Sequence, residues 1–293
     1  MDWSVDQACL SVWVSTDAMW DRIEPLMPAD PVRGRRWADH RRTLEAIAWK
    51  YRTNSPWRDL PDELGSFKTA HKGLIRWAVD GTWETILTAV LAADADDDID
   101  WTVSVDSTVV RAHQHAAGAP QKGAAHPGEP ADHALGRSRG GLSTKVHLAA
   151  DGRARPLAFT VTAGQAGDAP AFETVMSRIH LPRTGSGRPR TRPLAVLADR
   201  AYSSRAIRSH LRRRGIRAVI PQPSDQLGHR LRRGRLGGRP PGFDRETYKQ
   251  RNTVERCINR LKQWRGLATR TDKLAIAYQA ALHLAGILIR TRH

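Results

Sequence analysis

Cysteine is nearly absent from this 293-residue chain, with Cys9 and Cys257 the only two. That count excludes a disulfide framework and a cysteine-rich zinc site, and it fits a reducing, cytoplasmic setting. Long apolar runs are missing too. The longest, Leu274 to Ile289, is 16 residues and contains Gln279 and His283. It is too short and too polar to span a bilayer and reads as a core helix, so no membrane partner is expected. The N-terminus lacks the basic-then-apolar pattern of a secretory signal. Acid is what the last third has little of. Residues 1–100 carry 12 Lys/Arg against 18 Asp/Glu, a net of −6. Residues 101–200 carry 13 against 7, a net of +6, and residues 201–293 carry 22 against 5, a net of +17. A cationic last third points to a polyanion, most simply double-stranded DNA; a basic but merely soluble protein has the same composition.

What is present divides in two. Residues 1–95 read as a small all-helical domain. Its segments are Thr16 to Met27, Arg41 to Thr53 with Leu44, Ile47 and Ala48 inward, Ser66 to Asp80, and Thr82 to Ala93. Asn54 to Asp62 is a Pro-rich turn. Most of the ten tryptophans fall here, and core packing is their expected work. Asp94 to Asp100 reads as a solvated linker, which sets the domain boundary.

Residues 96–293 read as the second domain, and from Trp101 its period changes to two. TVSVDSTVVRA from Thr102, STKVHLAA from Ser143 and PLAFTVT from Pro156 alternate like strands, and PLAVLA from Pro193 reads as a buried central strand ending at Asp199. Helices are expected over Asp168 to Ile179, Ser203 to Arg214 and Lys273 to Arg290, with a short strand at Arg217 to Ile220. Gly118 to Gly141 reads as a long mobile loop with His126 and His133 as bystanders. Gln222 to Arg245 reads as a basic loop without structure of its own. This order describes an α/β fold, a mixed sheet flanked by helices. Asp106 within the first strand, Asp199 at the end of a later one and Glu255 on a following helix can converge at the strand ends, where such sheets place their ligands.

Tyr248 to Lys262 carries the most chemistry. At about 100° per residue, Tyr248, Arg251, Glu255 and Lys262 share one helix face within roughly 60°. Val254, Cys257, Ile258, Leu261 and Trp264 form a separate apolar stripe. A carboxylate among cations and a phenol suits an acid that binds metal while its neighbours hold phosphate. The same spacing also serves an ordinary surface helix in which Glu255 pairs with Arg251. His113 and His115 alternate and could share a metal, although a structural or substrate-contact role suits them better. Trp264 could stack on an extruded base or simply be buried.

Four stretches together resemble the DDE transposases of bacterial insertion sequences, in the insertion-sequence-four and -five superfamily. They are RGRRWADHRRTLEAIAWKYRTNSPWRDLPDELGSFKTAHKGLIRWAVDGTWE; VDSTVVRAHQH; GGLSTKVHLAADGRARPLAFTVTAGQAGD with LADRAYSS; and Y-x2-R-x3-E-x6-K at Tyr248, Arg251, Glu255 and Lys262. The resemblance implies an RNase H-like core over residues 96–293. It also implies a triad of Asp106, Asp199 and Glu255 holding two magnesium ions, with manganese able to substitute. Hard carboxylate oxygens suit such ions, and a metal pair can serve both ends of an in-line phosphodiester displacement. By the same similarity Tyr248, Arg251 and Lys262 would hold phosphates of the element end.

Further DNA-backbone contacts are expected from Arg212, Arg213 and Arg214, from the arginines between 230 and 239, and from Arg33, Arg35, Arg36, Arg41 and Arg42; solvated basic faces are the plainer option. The implied activity is binding of terminal inverted repeats, metal-dependent cutting and strand transfer into target DNA, by a homodimer because two ends need two sites. The cytoplasmic nucleoid is the implied location. The alternative is a DNA-binding protein derived from a transposase and lacking catalysis.

Overall fold

The computed structural model describes residues 14–34, 36–94, 101–119, 126–183 and 187–292. The chain opens with helices: α1 (Asp17–Ile23), α2 (His40–Thr53), α3 (Phe67–Val79) and α4 (Thr82–Asp94). Local signals set their ends. Thr16 caps α1 by accepting from Met19 N–H, Asp39 caps α2 by accepting from Arg42 N–H, and Asn54 closes α2 in the left-handed region at φ 60°. Leu44, Ile47 and Ala48 face inward as the spacing requires.

The strands are β1 (Thr102–Ala112), β2 (Gly136–Ser138), β3 (Gly141–Ala150), β4 (Pro156–Ala163), β5 (Ala195–Ala198), β6 (Arg217–Val219) and β7 (Thr269–Arg270). β4, β3, β1, β5 and β6 lie side by side in that order. β3 runs antiparallel to both its neighbours, β4 and β1, and β5 and β6 run parallel to β1. β2 extends the sheet along β3, and β7 along the far end of β1. This is the mixed sheet flanked by helices that the order of elements predicts, preceded by a helical region. Four buried residues make up β5, as a central parallel strand demands.

Around the sheet stand α5 (Gln114–Ala117), α6 (Asp168–Ser177), α7 (Arg205–Arg213), α8 (Ser224–Arg232), α9 (Arg245–Lys249), α10 (Asn252–Lys262), α11 (Arg265–Ala268) and α12 (Ala275–Thr291). α12 is apolar all round and buried along its length, packed against α2, α3, α4 and β4. One continuous hydrophobic core therefore joins the N-terminal helices to the sheet. No helix among the described residues is long and apolar enough to cross a membrane.

Several expectations need correcting. Gln222 to Arg245 is not shapeless: it holds α8 and a short 3-10 turn, with Leu227, Leu231 and Leu236 exposed. Residues 126–135 are not a loose loop. Glu129 is buried and accepts the free N–H groups of Ala275 and Ile276 at the start of α12, and His133, 3% exposed, bonds Glu129 at 2.6 Å. His113 leaves the strand and caps α5, with its ring 4.6 Å from that of His115. Asp94 is no solvated linker residue. It pairs with Arg22 and Arg290 at 2.9 and 3.0 Å in the interior. The rest of that acidic stretch, like Arg35, lies outside the described residues.

Candidate active site

The register of two neighbouring parallel strands sets the centre of the site. Val105 of β1 pairs with Ala198 of β5, so the next residues along are Asp106 and Asp199, on strands about 4.8 Å apart. Asp106 is held at both oxygens: Oδ1 accepts from Ser107 N–H at 2.8 Å, and Oδ2 accepts from Arg251 at 2.9 Å. Asp199 caps the 3-10 turn Arg200–Tyr202, accepting from Ala201 N–H at 2.9 Å.

Glu255 reaches this centre through α10. Val254, Cys257, Leu261 and Trp264 are buried beneath that helix, and burial pushes the Cys257 thiol up to about 12, an inert core group. Thr253 Oγ1 donates to Ser104 Oγ at 3.0 Å, fixing the start of α10 against β1. The Arg251 guanidinium then spans two acids, 2.9 Å from Asp106 and 2.8 Å from Glu255. The Arg251–Glu255 pair of an ordinary helix is therefore present, but it is one arm of a clamp between elements.

Electrostatics mark the same spot. Burial raises the Asp106 carboxyl above its ordinary range; Ser107 N–H and Arg251 oppose this, while Asp199 and Glu255 add to it. Burial works against the Arg251 charge, yet Asp106, Tyr248 and Glu255 outweigh it and hold the guanidinium above its usual value. Three carboxylates thus share a neighbourhood with one resident cation. Among the described residues no three His, Cys, Asp or Glu side chains are arranged to hold a metal ion, and the Arg251 guanidinium lies between two of the acids.

The expected single helix from Tyr248 to Lys262 is two. The chain turns through i to i−3 bonds between them, Arg251 N–H to Tyr248 O and Thr253 N–H to Gln250 O, both 3.0 Å. Tyr248 is thereby drawn onto Ala195, Leu197 and Val219, with the Phe243 ring 5.2 Å away. Lys262 lies beside Thr108, two residues beyond Asp106 on the same face of β1. Arg212 and Arg213 are exposed on α7. Arg36 is exposed, Arg41 pairs with Asp17 at 2.6 Å, and Arg42 donates to the carbonyls of Asp62 and Glu63. Trp264 is buried at 3% exposure, beyond the reach of a base.

Sequence reasoning missed a second polar group, on the opposite sheet face behind Asp106. Ser107 Oγ donates to Asp168 at 2.6 Å, and Lys145 donates to Asp168 and to Ala166 O at 3.0 and 2.6 Å. Tyr202 is buried nearby, its phenol pushed up by burial and by Asp168, Asp106 and Asp199. The available signal was Ser107 itself, whose strand alternation points it away from its neighbour Asp106.

Comparison with known proteins places the chain in a family. A family described as "Transposase DDE domain" matches residues 98–290, and "Putative transposase of IS4/5 family" matches residues 16–87. An uncharacterized protein of Sinorhizobium fredii is 41% identical over 105 residues, 35% of this chain and 80% of its own length. A putative transposase for insertion sequence element IS6501 of Brucella ovis is 28% identical over 151 residues, 52% of this chain and all of the relative. Among solved structures, a Mos1 transposase paired-end complex with left transposon end aligns at 10% identity and a TM-score of 0.25, covering 81% of this chain and 82% of that one. With a match across 98–290, the chain belongs to the DDE transposase family of insertion sequences.

Proposed function

We propose that this transposase binds the terminal inverted repeats of its own element, cuts the DNA there and joins the freed ends to target DNA, with Asp106, Asp199 and Glu255 as its catalytic acids. The observation that carries this reading is the register of Asp106 and Asp199 on adjacent parallel strands, with Arg251 tying Glu255 to the same point.

The donor set fits a divalent cation by its chemistry. Three hard-oxygen ligands lie where a carboxylate already titrates high from burial and from its acidic neighbours, so added positive charge relieves the site. Asp106, Asp199 and Glu255 would hold magnesium or manganese there, and a bound pair would supply an activated attacking oxygen and a stabilised leaving oxygen. Arg251 is the group that must yield. Once its carboxylates are charge-compensated, its guanidinium is free to pair with a backbone phosphate, for which its planar fork is suited. Lys262 and Tyr248 flank the same strand ends and would fix the register of the DNA. Arg212, Arg213 and Arg36 would add contacts that are not sequence-specific, and residues 1–95 would supply end recognition. Two ends call for two copies, so the acting species is a dimer on DNA.

The test is magnesium-dependent cleavage and joining of a fragment bearing the element's own ends. Asp106→Asn, Asp199→Asn and Glu255→Gln are each expected to lower the rate by about a thousandfold or more. Cutting by Asp199→Asn at the wild-type rate would remove the triad assignment.

A further inference from the structure

The back of the sheet, opposite the three acids, carries charge where packing alone would place apolar side chains. α6 covers this face of β3 and β4, yet beneath it Lys145 and Asp168, only 13% and 25% exposed, pair at 3.0 Å. Lys145 also donates to Ala166 O at 2.6 Å. His147, opposite Ser107 in the strand register and 1% exposed, bonds Thr162 on the same face. A partly buried pair of this kind stabilises little beyond what apolar residues of similar size would, because desolvation offsets the attraction. Seating α6 is a job that apolar residues could do. What they could not do is hold the third partner, Ser107 Oγ, which donates to the same Asp168 oxygen at 2.6 Å.

Ser107 joins the two faces of β1. Its side chain lies at the back, while its N–H donates to Asp106 Oδ1 at 2.8 Å. Pairing with β5 ends at Val105 and Ala198, so past that rung β5 no longer supports this edge of β1. The other bond on Asp106 comes from Arg251, and on the reading above Arg251 is the group that yields. The Ser107 N–H is then the contact that still orients the Asp106 carboxylate.

From this we infer that Lys145 and Asp168 position Asp106 through Ser107. Lys145 fixes Asp168, Asp168 fixes the Ser107 hydroxyl, and the Ser107 N–H holds one Asp106 oxygen while leaving the other for a divalent cation. All three are positioning residues and act only through Asp106. Ligating carboxylates depend on such outer partners, and losing one typically costs about ten- to a hundredfold in metal affinity or activity. The inference rests on the reading of Asp106 as a metal-holding catalytic acid, and it extends that site to three residues behind the sheet.

The test measures Mn2+ uptake, by electron paramagnetic resonance of the free ion, in complexes with element ends already cut, where no cleavage occurs. Ser107→Ala and Asp168→Ala should each weaken Mn2+ binding about tenfold. The Mn2+ concentration for half-maximal cleavage of uncut ends should rise by the same factor. Ser107→Thr keeps the hydroxyl and should bind Mn2+ as the wild type does. The melting temperature of Ser107→Ala, and its affinity for end DNA without metal, should stay at wild-type values. Unchanged Mn2+ binding in Ser107→Ala overturns the inference even if Asp168→Ala is impaired, since Asp168 then serves only to seat α6. A Ser107→Thr variant as weak as Ser107→Ala overturns it too. Asp106→Asn separates the underlying reading: Mn2+ binding and cleavage at wild-type levels there would remove Asp106 from the site, whatever happens at Ser107. If the wild-type complex takes up no Mn2+, the metal reading of the acids falls and the inference with it.

Discussion

Two clusters of Asp and Arg stand on opposite terms in this molecule. In the interior, Asp94 and Asp151 meet Arg22, Arg155 and Arg290. Arg290 and Asp151 are fully buried, and Arg290 also donates to the carbonyl of Pro156 at 2.7 Å. At the strand ends, Asp106 and Glu255 share Arg251 beside Asp199, and exposure rises from 19% at Asp106 to 50% at Glu255. The same side chains therefore do different work according to stoichiometry. Where cations match or exceed anions and water is excluded, the cluster joins α1, α4, the β3–β4 turn and α12 into one body. Where anions exceed cations at an open face, the surplus charge is available to a ligand.

Arg290→Leu attacks the first cluster and should show the largest stability effect. Removing one partner leaves Asp151 and Asp94 undercompensated in the interior, a loss of about 3–5 kcal/mol. Arg251→Met removes an equally well-formed pair from the second cluster, where solvent screens what is lost, and should cost no more than about 1 kcal/mol. Urea unfolding of the two variants decides the matter. Equal midpoint shifts would mean that both clusters are scaffolding.

Gly266→Ala probes how tightly the N-terminal helices are seated on the rest of the chain. A Cβ at this position would stand 2.9 Å from the Tyr51 ring and 3.0 Å from the Tyr51 Cα, so α11 and α2 touch through bare backbone. Overpacking there should cost about 1–3 kcal/mol. The shift should appear as a lower melting temperature with the Asp106–Arg251–Glu255 clamp intact; unchanged melting would show that the contact gives freely.

The features legible in the sequence were those written locally. Strand alternation around Asp106, an apolar run stopped by Asp199, and the Val254, Cys257, Leu261 and Trp264 stripe all stand as read. What stayed hidden depends on distant partners. Nothing near Glu129 announces that it receives the N–H groups of Ala275 and Ile276, nearly 150 residues on. Asp94 looks like the head of an acidic linker until Arg290 is brought to it. The break between α9 and α10 has no Gly or Pro to signal it, because the burial of Tyr248 against β5 and β6 bends the chain there. In α8, Leu227 and Leu231 are one helical turn apart, but the surrounding Arg and Gly conceal the period.

The smallest effect discriminates between the clusters by sign. Asp106 titrates above its ordinary range in the folded protein, chiefly through burial, with Asp199 and Glu255 adding to it. A carboxyl raised on folding binds its proton more tightly in the native than in the unfolded state, so its charged form opposes folding above that raised value. The opposition fades as the pH falls through it. Asp106→Asn should therefore melt higher than wild type at neutral pH, by about a degree or two, with the gap closing on acidification. Loss of charge at the interior cluster acts in the opposite direction, since Arg290→Leu lowers the melting point. A molecule that becomes more stable when one acid is neutralised, while losing strand cleavage, holds that acid for chemistry and not for folding. If Asp106→Asn melts lower than wild type at neutral pH, the clamp with Arg251 outweighs burial and repulsion, and the distinction between the two clusters is lost.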